Sequence, residues 1–128
     1  AKAYCGVWPY YPEDPLNGRV APVDYNWADF MAVPLIDIWI NFRDYISCDL
    51  QNRIEKALVL AARASMKRNV KGDYTNMCIM GIYVCYIVGD LMDLPDLSTY
   101  ARGKLRYFYD YTIDNKGFTE YNSPTLLP

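Results

Sequence analysis

The sequence contains no histidine. That absence excludes Ser-His-Asp and Cys-His catalysis along with the usual imidazole metal sites, and it leaves any acid–base chemistry to Asp, Glu, Tyr, Lys or Cys. The four cysteines, Cys5, Cys48, Cys78 and Cys85, form no CxxC pair. Cys78 and Cys85 share one predicted helix at a separation of roughly 10 Å, too far for a disulfide, and read as small core residues. A Cys5–Cys48 pair is left open. Charge of one sign is also lacking: 13 basic residues face 15 acidic ones, for a formal charge of −2. The basic residues are dispersed apart from Lys67, Arg68 and Lys71, so there is no footprint for nucleic acid or an anionic membrane. The longest apolar run, Met77 to Val88, falls short of the roughly 20 residues that span a bilayer. There is no N-glycosylation sequon. No charged and apolar pair of segments follows Ala1, so the chain reads as a mature or excised piece. No metal or cofactor is expected, because Asp90, Asp93 and Asp96 lack the glycine and terminal glutamate of a calcium loop.

What is present is a folded composition, 52% hydrophobic, with an excess of aromatic residues: 13 Tyr, 3 Trp and 4 Phe. Tyrosine joins a flat apolar face to a polar tip, which suits wet clefts as well as half-buried packing. Residues 1–26 carry Pro9, Pro12, Pro15 and Pro22 with Gly6 and Gly18, a density that predicts an extended, turn-rich arm. Trp8, Tyr10 and Tyr11 stud this arm, either packing over helices or walling a cleft.

The fold class predicted for residues 27–128 is all-α, with about four main helices. The run from Trp27 to Tyr45 is apolar on most sides, and its helix starts either near Pro34 or near Trp27 with a bend. Ser47 and Asp49 signal the start of a second helix, roughly 49 to 67, with Leu50, Ile54, Ala57, Leu58 and Ala61 inward. A third, about 76 to 92, has no polar face and should be interior. A fourth, about 96 to 112, turns Leu97, Ala101, Leu105, Phe108 and Thr112 inward. Apolar-all-round and amphipathic helices thus alternate.

A polar motif punctuates this pattern. An acidic residue, Tyr and a small polar residue recur at Asp24-Tyr25-Asn26, Asp73-Tyr74-Thr75 and Glu120-Tyr121-Asn122, at intervals of 49 and 47 residues. Each interval spans about two helices and their connections, so the chain reads as stacked helical hairpins with every motif at the same end. The period calls for another interior helix after Pro124. The expectation is therefore a part of a larger protein or a chain that covers its open side by self-association.

Asp73-Tyr74-Thr75-Asn76, Gly89-Asp90-Leu91, Tyr100-Ala101-Arg102 and Phe118 to Thr125 resemble segments of a bacterial or fungal family of α/α-toroid proteins, related in fold to polysaccharide lyases and glycoside hydrolases. The resemblance covers roughly residues 27 to 125. It implies antiparallel helical hairpins of an incomplete toroid, a cleft where the chain enters the inner helices, and an oligo- or polysaccharide substrate. Within that frame Asp73, Tyr74, Glu120 and Tyr121 are the catalytic candidates. Asn76, Asn122, Trp8, Tyr10, Tyr11 and Trp27 are the candidates for binding substrate. Asp73 and Glu120 suit glycoside hydrolysis, which needs two carboxylates. Uronate elimination instead needs a group that neutralises the sugar carboxylate and a base for the C5 proton, roles that Asn76 or Asn122 with Tyr74 or Tyr121 could fill. The plainer alternatives are acidic residues capping their own helices in a non-catalytic repeat, and an enzyme for an apolar small molecule whose cleft is lined by Tyr and Met.

Overall fold

A computed structural model of the chain describes residues 4–18 and 22–120. Its architecture is all-α: α1 (Trp27–Phe42), α2 (Cys48–Arg68), α3 (Thr75–Leu91) and α4 (Pro95–Asp114), with a short 3-10 turn, Arg43–Tyr45, between the first two. Among the described residues there are no strands, and no helix is long and apolar enough to cross a membrane. Short connections make consecutive helices antiparallel, giving the hairpins α1/α2 and α3/α4.

Local chemistry sets the boundaries. Ser47 is extended and its Oγ accepts the Leu50 N–H, which starts α2. Asn69 ends α2 in the left-handed conformation, φ 48°. Pro95 takes the first position of α4, where its missing N–H costs nothing. Helix α1 begins at Trp27 and carries Pro34 in its interior, so the earlier of the two expected starts is the one adopted.

Helix α3 is the hub. It packs against α1, α2 and α4, and buries Met77, Cys78, Gly81, Ile82, Val84, Cys85, Val88 and Gly89. Ile36 and Trp39 of α1, Ile54, Leu58, Ala61 and Ala62 of α2, and Leu97, Ala101 and Phe108 of α4 complete the core. Close approach depends on glycine: a Cβ at Gly81 would lie 2.7 Å from the Ser65 Oγ of α2. Three expectations for these helices are corrected, the first being Leu50, which is exposed because it lies in the first turn of α2, ahead of the buried stretch that runs from Ile54 to Ser65. Helix α3 is not wholly interior, since Ile79, Tyr83 and Tyr86 form an exposed stripe. Leu105 is 55% exposed, because it stands roughly 60° around the helix from the line of Leu97, Ala101 and Phe108.

The described part of the arm holds no helix or strand; it touches α2 at Gly6 and α1 through Tyr10 on Trp27. Gly6, at φ +85°, approaches so near that a Cβ would sit 2.1 Å from the Leu60 carbonyl oxygen. Trp8 then packs against the core cluster. We expect Gly6→Ala to destabilise the fold by about 1–3 kcal/mol through the left-handed backbone and the carbonyl clash. Urea denaturation followed by tryptophan fluorescence measures this, with Trp8 moving to a wetter environment as the arm lifts.

Candidate functional site

The three polar motifs meet, as far as they lie within the described residues. Asn26 precedes α1, and its Nδ2 donates to the Tyr74 hydroxyl at 3.2 Å. Glu120 Oε2 accepts the Thr75 N–H at 2.7 Å, and Thr119 Oγ1 donates to the Asp73 carbonyl at 3.1 Å. The first motif is thereby tied to the second, and the second to the third. Asp24 makes only a local turn, its Oδ1 accepting the Asn26 N–H.

Capping runs between motifs and not within them. Neither α1 nor α3 has a side-chain cap at its N-cap residue. Glu120, 45 residues further along the chain, supplies a carboxylate to the first turn of α3, where unpaired N–H groups and the helix dipole favour negative charge. The expectation of acidic residues capping their own helices is corrected accordingly.

Beside these ties lies an open depression of about 480 Å³, lined by Arg68, Asn69, Val70, Lys71, Asp73, Tyr74 and Glu120. Its floor is the α2–α3 connection, held from below by α4. Gly72 N–H donates to the Tyr107 hydroxyl, and a Cβ on Gly72 would lie 2.7 Å from the Tyr111 ring. The Asn69 Oδ1 accepts from Tyr100 Oη and Lys104 Nζ, fixing the end of α2 onto α4. Two cations, two carboxylates and a phenol therefore converge on a volume in the range of small-ligand sites.

At the same end of the bundle, in the first turn of α1, is a feature with no motif to announce it. Asp29, in the first turn of α1, is 0% exposed, and neither carboxylate oxygen has a hydrogen-bond partner. Burial pushes its pKa up, opposed by the nearby Ser65 hydroxyl and the Arg68 charge. Among the described residues, the other buried side-chain atoms without a partner are Asn26 Oδ1, Arg68 Nη1 and Thr75 Oγ1, all at this same end of the bundle. Each such atom costs about 1–3 kcal/mol, so their concentration here departs from how protein interiors are normally built. The helical period offered a signal: Asp29 shares the buried face of Ala32, Ile36 and Trp39, an acid on a line of core residues.

Several sequence candidates fall elsewhere. Asn76 is exposed, its Oδ1 accepts the adjacent Met77 N–H, and it does not line the depression. Trp8 is taken into core packing and is no platform for a sugar. Tyr10, Tyr11 and Trp27 assemble with Phe30 into a surface cluster with edge-to-face contacts, centroids 4.4 to 5.7 Å apart. Tyr10 and Tyr11 remain more than half exposed, and neither they nor Trp27 lines the depression. Tyr121 and Asn122 lie outside the described residues. Cys5 and Cys48 are exposed free thiols, while Cys78 and Cys85 are buried. Burial raises Cys85 to about 12, which keeps it an inert thiol. Asp96 pairs with Arg63, an ion pair joining α4 to α2. No group of metal-ligating side chains occurs among the described residues.

A family model described as Domain of unknown function (DUF8769) matches residues 1–127, so the chain belongs to that family. No curated protein and no solved structure matches it.

Two outcomes follow from this geometry. Glu120→Ala should cost about 1 kcal/mol by uncapping α3, measured by urea denaturation. Asp29 in the folded protein binds its proton more tightly than in the unfolded chain, so its charge lowers stability as pH rises through and above the ordinary value of 3.8. The unfolding free energy of Asp29→Asn, relative to wild type, should accordingly move in the variant's favour between pH 4 and pH 7. A difference independent of pH would show that burial does not shift this carboxyl.

Proposed function

For this member of the DUF8769 family we propose a carbohydrate-active site that cleaves an acidic oligo- or polysaccharide by elimination. The reading rests on one observation: Asp73 and Tyr74, with Glu120 from the next motif, line the same depression as Arg68 and Lys71. Elimination accounts for this set better than hydrolysis does. Glu120 is engaged by the Thr75 N–H, which leaves Asp73 as the one carboxylate there without such a bond to a helix terminus. The two cations suit the carboxylate of a uronate, which must take up negative charge as its neighbouring carbon loses a proton.

In this reading Asp73 removes the C5 proton. The electron pair forms the C4–C5 double bond, the C4–oxygen bond breaks, and the departing oxygen takes a proton from the Tyr74 hydroxyl. Arg68 and Lys71 hold the sugar carboxylate throughout. Asn26, hydrogen-bonded to Tyr74, fixes the phenol. The toroid relationship is part of the same proposal, since cleft residues there gather where the inner helices begin. The charged lining argues against an apolar small-molecule substrate.

A second reading, a helical module that self-associates or joins further hairpins, is favoured by the exposed stripe of Ile79, Tyr83 and Tyr86 on α3. Light scattering addresses it: a dimer supports this reading and a monomer opposes it.

The elimination is tested on polygalacturonate, alginate and hyaluronan by ultraviolet absorbance of the unsaturated product. Tyr74→Phe should lower kcat by roughly 100-fold, and Lys71→Gln should raise KM. Cleavage without unsaturation would point to hydrolysis. An unchanged rate in Tyr74→Phe would remove this residue from the mechanism.

A further inference from the structure

Among the glycines of the described residues, Gly103 has a place that packing does not explain. Gly6, Gly72, Gly81 and Gly89 each sit where a Cβ would meet another segment at less than 3.0 Å, and Gly18 and Gly117 hold positive φ. Gly103 lies within α4, has no positive φ, and a Cβ there would meet nothing within 4 Å. Glycine is among the poorest helix formers, so an exposed helix interior is ordinarily filled by another residue. What the missing side chain leaves is bare backbone on the wall of a second open depression, of about 590 Å³, lined also by Asn69, Lys71, Tyr100, Lys104 and Tyr107. The two depressions adjoin, since Asn69 and Lys71 line both. Their chemistry differs. The first has Asp73 and Glu120 in its lining, whereas the second has two ammonium groups and no carboxylate. Lys104 is held in place: its Nζ donates to Asn69 Oδ1 at 2.8 Å and stands 4.4 Å from the centre of the Tyr107 ring. Tyr107 is fixed in turn by the Gly72 N–H, which its hydroxyl accepts. An ammonium carries three donors, so the bond to Asn69 leaves others for a ligand. Asn69 Oδ1 is taken by Tyr100 and Lys104, so what Asn69 has left to offer is its Nδ2 donor.

We propose that the second depression is a subsite for a further acidic sugar of the same chain, its carboxylate or sulfate taken by Lys104 and its ring laid over the bare backbone at Gly103. This rests on the acidic-saccharide reading above and makes the substrate a polymer rather than a short fragment. Each depression has a volume that suits a ligand of a few sugars at most, so only a longer chain occupies both. Without a carboxylate in its lining the second depression repels no anion and offers no acid–base pair, so it binds without reacting. Lys71, on the shared wall, is exposed and can serve either side, while Lys104 belongs to the second depression alone. Because Lys104 is already tied to Asn69 and Tyr107, little of its rotamer freedom remains to be lost on binding.

The experiment is calorimetric titration of the chain with trigalacturonate and hexagalacturonate, comparing wild type, Lys104→Gln and Gly103→Gln. Wild type should bind the hexamer roughly tenfold more tightly than the trimer, the order of one hydrogen bond to a charged group. Lys104→Gln removes the charge but keeps an N–H for Asn69, and Gly103→Gln covers the bare backbone with a good helix former. Both should bring the hexamer close to the affinity of the trimer and leave trimer binding unchanged, while the urea midpoint of Gly103→Gln rises. Weaker binding in a more stable variant is a result that a purely structural glycine would not give. A longer chain also has more registers in which to bind, but that advantage survives in the variants. A hexamer no tighter than the trimer in wild type, or a full preference retained by either variant, overturns the subsite and leaves the acidic-saccharide reading standing. Trimer binding that falls as much as hexamer binding in Lys104→Gln assigns Lys104 to the first depression and likewise overturns the subsite. A wild type that binds neither oligomer overturns the acidic-saccharide reading itself, and the subsite with it. Should Lys104→Gln fail to fold, Gly103→Gln alone decides between these outcomes.

Discussion

Helix α3 has almost nothing to offer water, and its burial is the constraint from which the rest of the structure follows. Seventeen residues from Thr75 to Leu91 include no basic residue and a single acidic one, Asp90. Burying such a helix requires neighbours on several sides, and α1, α2 and α4 provide them. Close packing then brings the start of α3 among the ends of the other elements, where its first N–H groups still need acceptors. Glu120 supplies one. The same convergence brings Asn26 to Tyr74 and Thr119 to Asp73, so the polar end of the bundle is a consequence of how its apolar middle is packed.

The two ends of the core obey different rules. Through the middle, Ile36, Leu58, Val84, Val88 and Leu97 are fully buried against one another with no polar atom to satisfy. At the motif end, Asp29, Arg68, Asn26 and Thr75 keep buried polar atoms without partners. A chain selected for stability alone would place apolar residues there. Such departures from otherwise consistent construction are the expected mark of a functional or strained site, and here one of the four, Arg68, also lines the depression with Lys71, Asp73, Tyr74 and Glu120.

Much of the fold was legible in the sequence because its punctuation is chemical. Ser47, Gly72 and Pro95 mark helix ends by capping, a required close approach and a missing donor, and the helices lie within a few residues of their expected bounds. The recurrence of an acid and a tyrosine placed the motifs at one end. What the pattern could not show was which atoms would meet. The fate of Trp8 depends on Gly6 touching the Leu60 carbonyl, a contact more than fifty residues away in sequence. Asn76 lies within the Asp73–Asn76 motif, but helical geometry turns it away from the depression. Asp29 is not legible in the sequence, because an acid in a first helical turn ordinarily answers the helix dipole, and only the burial of its face separates that case from this one. Leu105 shows the converse limit, since an apolar residue at the edge of a helical face can stay in water.

The central claim is that the junction of the three motifs is where an acidic saccharide binds. Amide chemical-shift mapping of the isotopically labelled chain during titration with trigalacturonate tests it most directly. The account predicts saturable shifts concentrated at Arg68 to Thr75 and at Thr119 and Glu120, and no comparable shifts with neutral maltotriose. Shifts centred instead on Tyr10, Tyr11 and Phe30, or equal responses to the charged and neutral sugars, would contradict it.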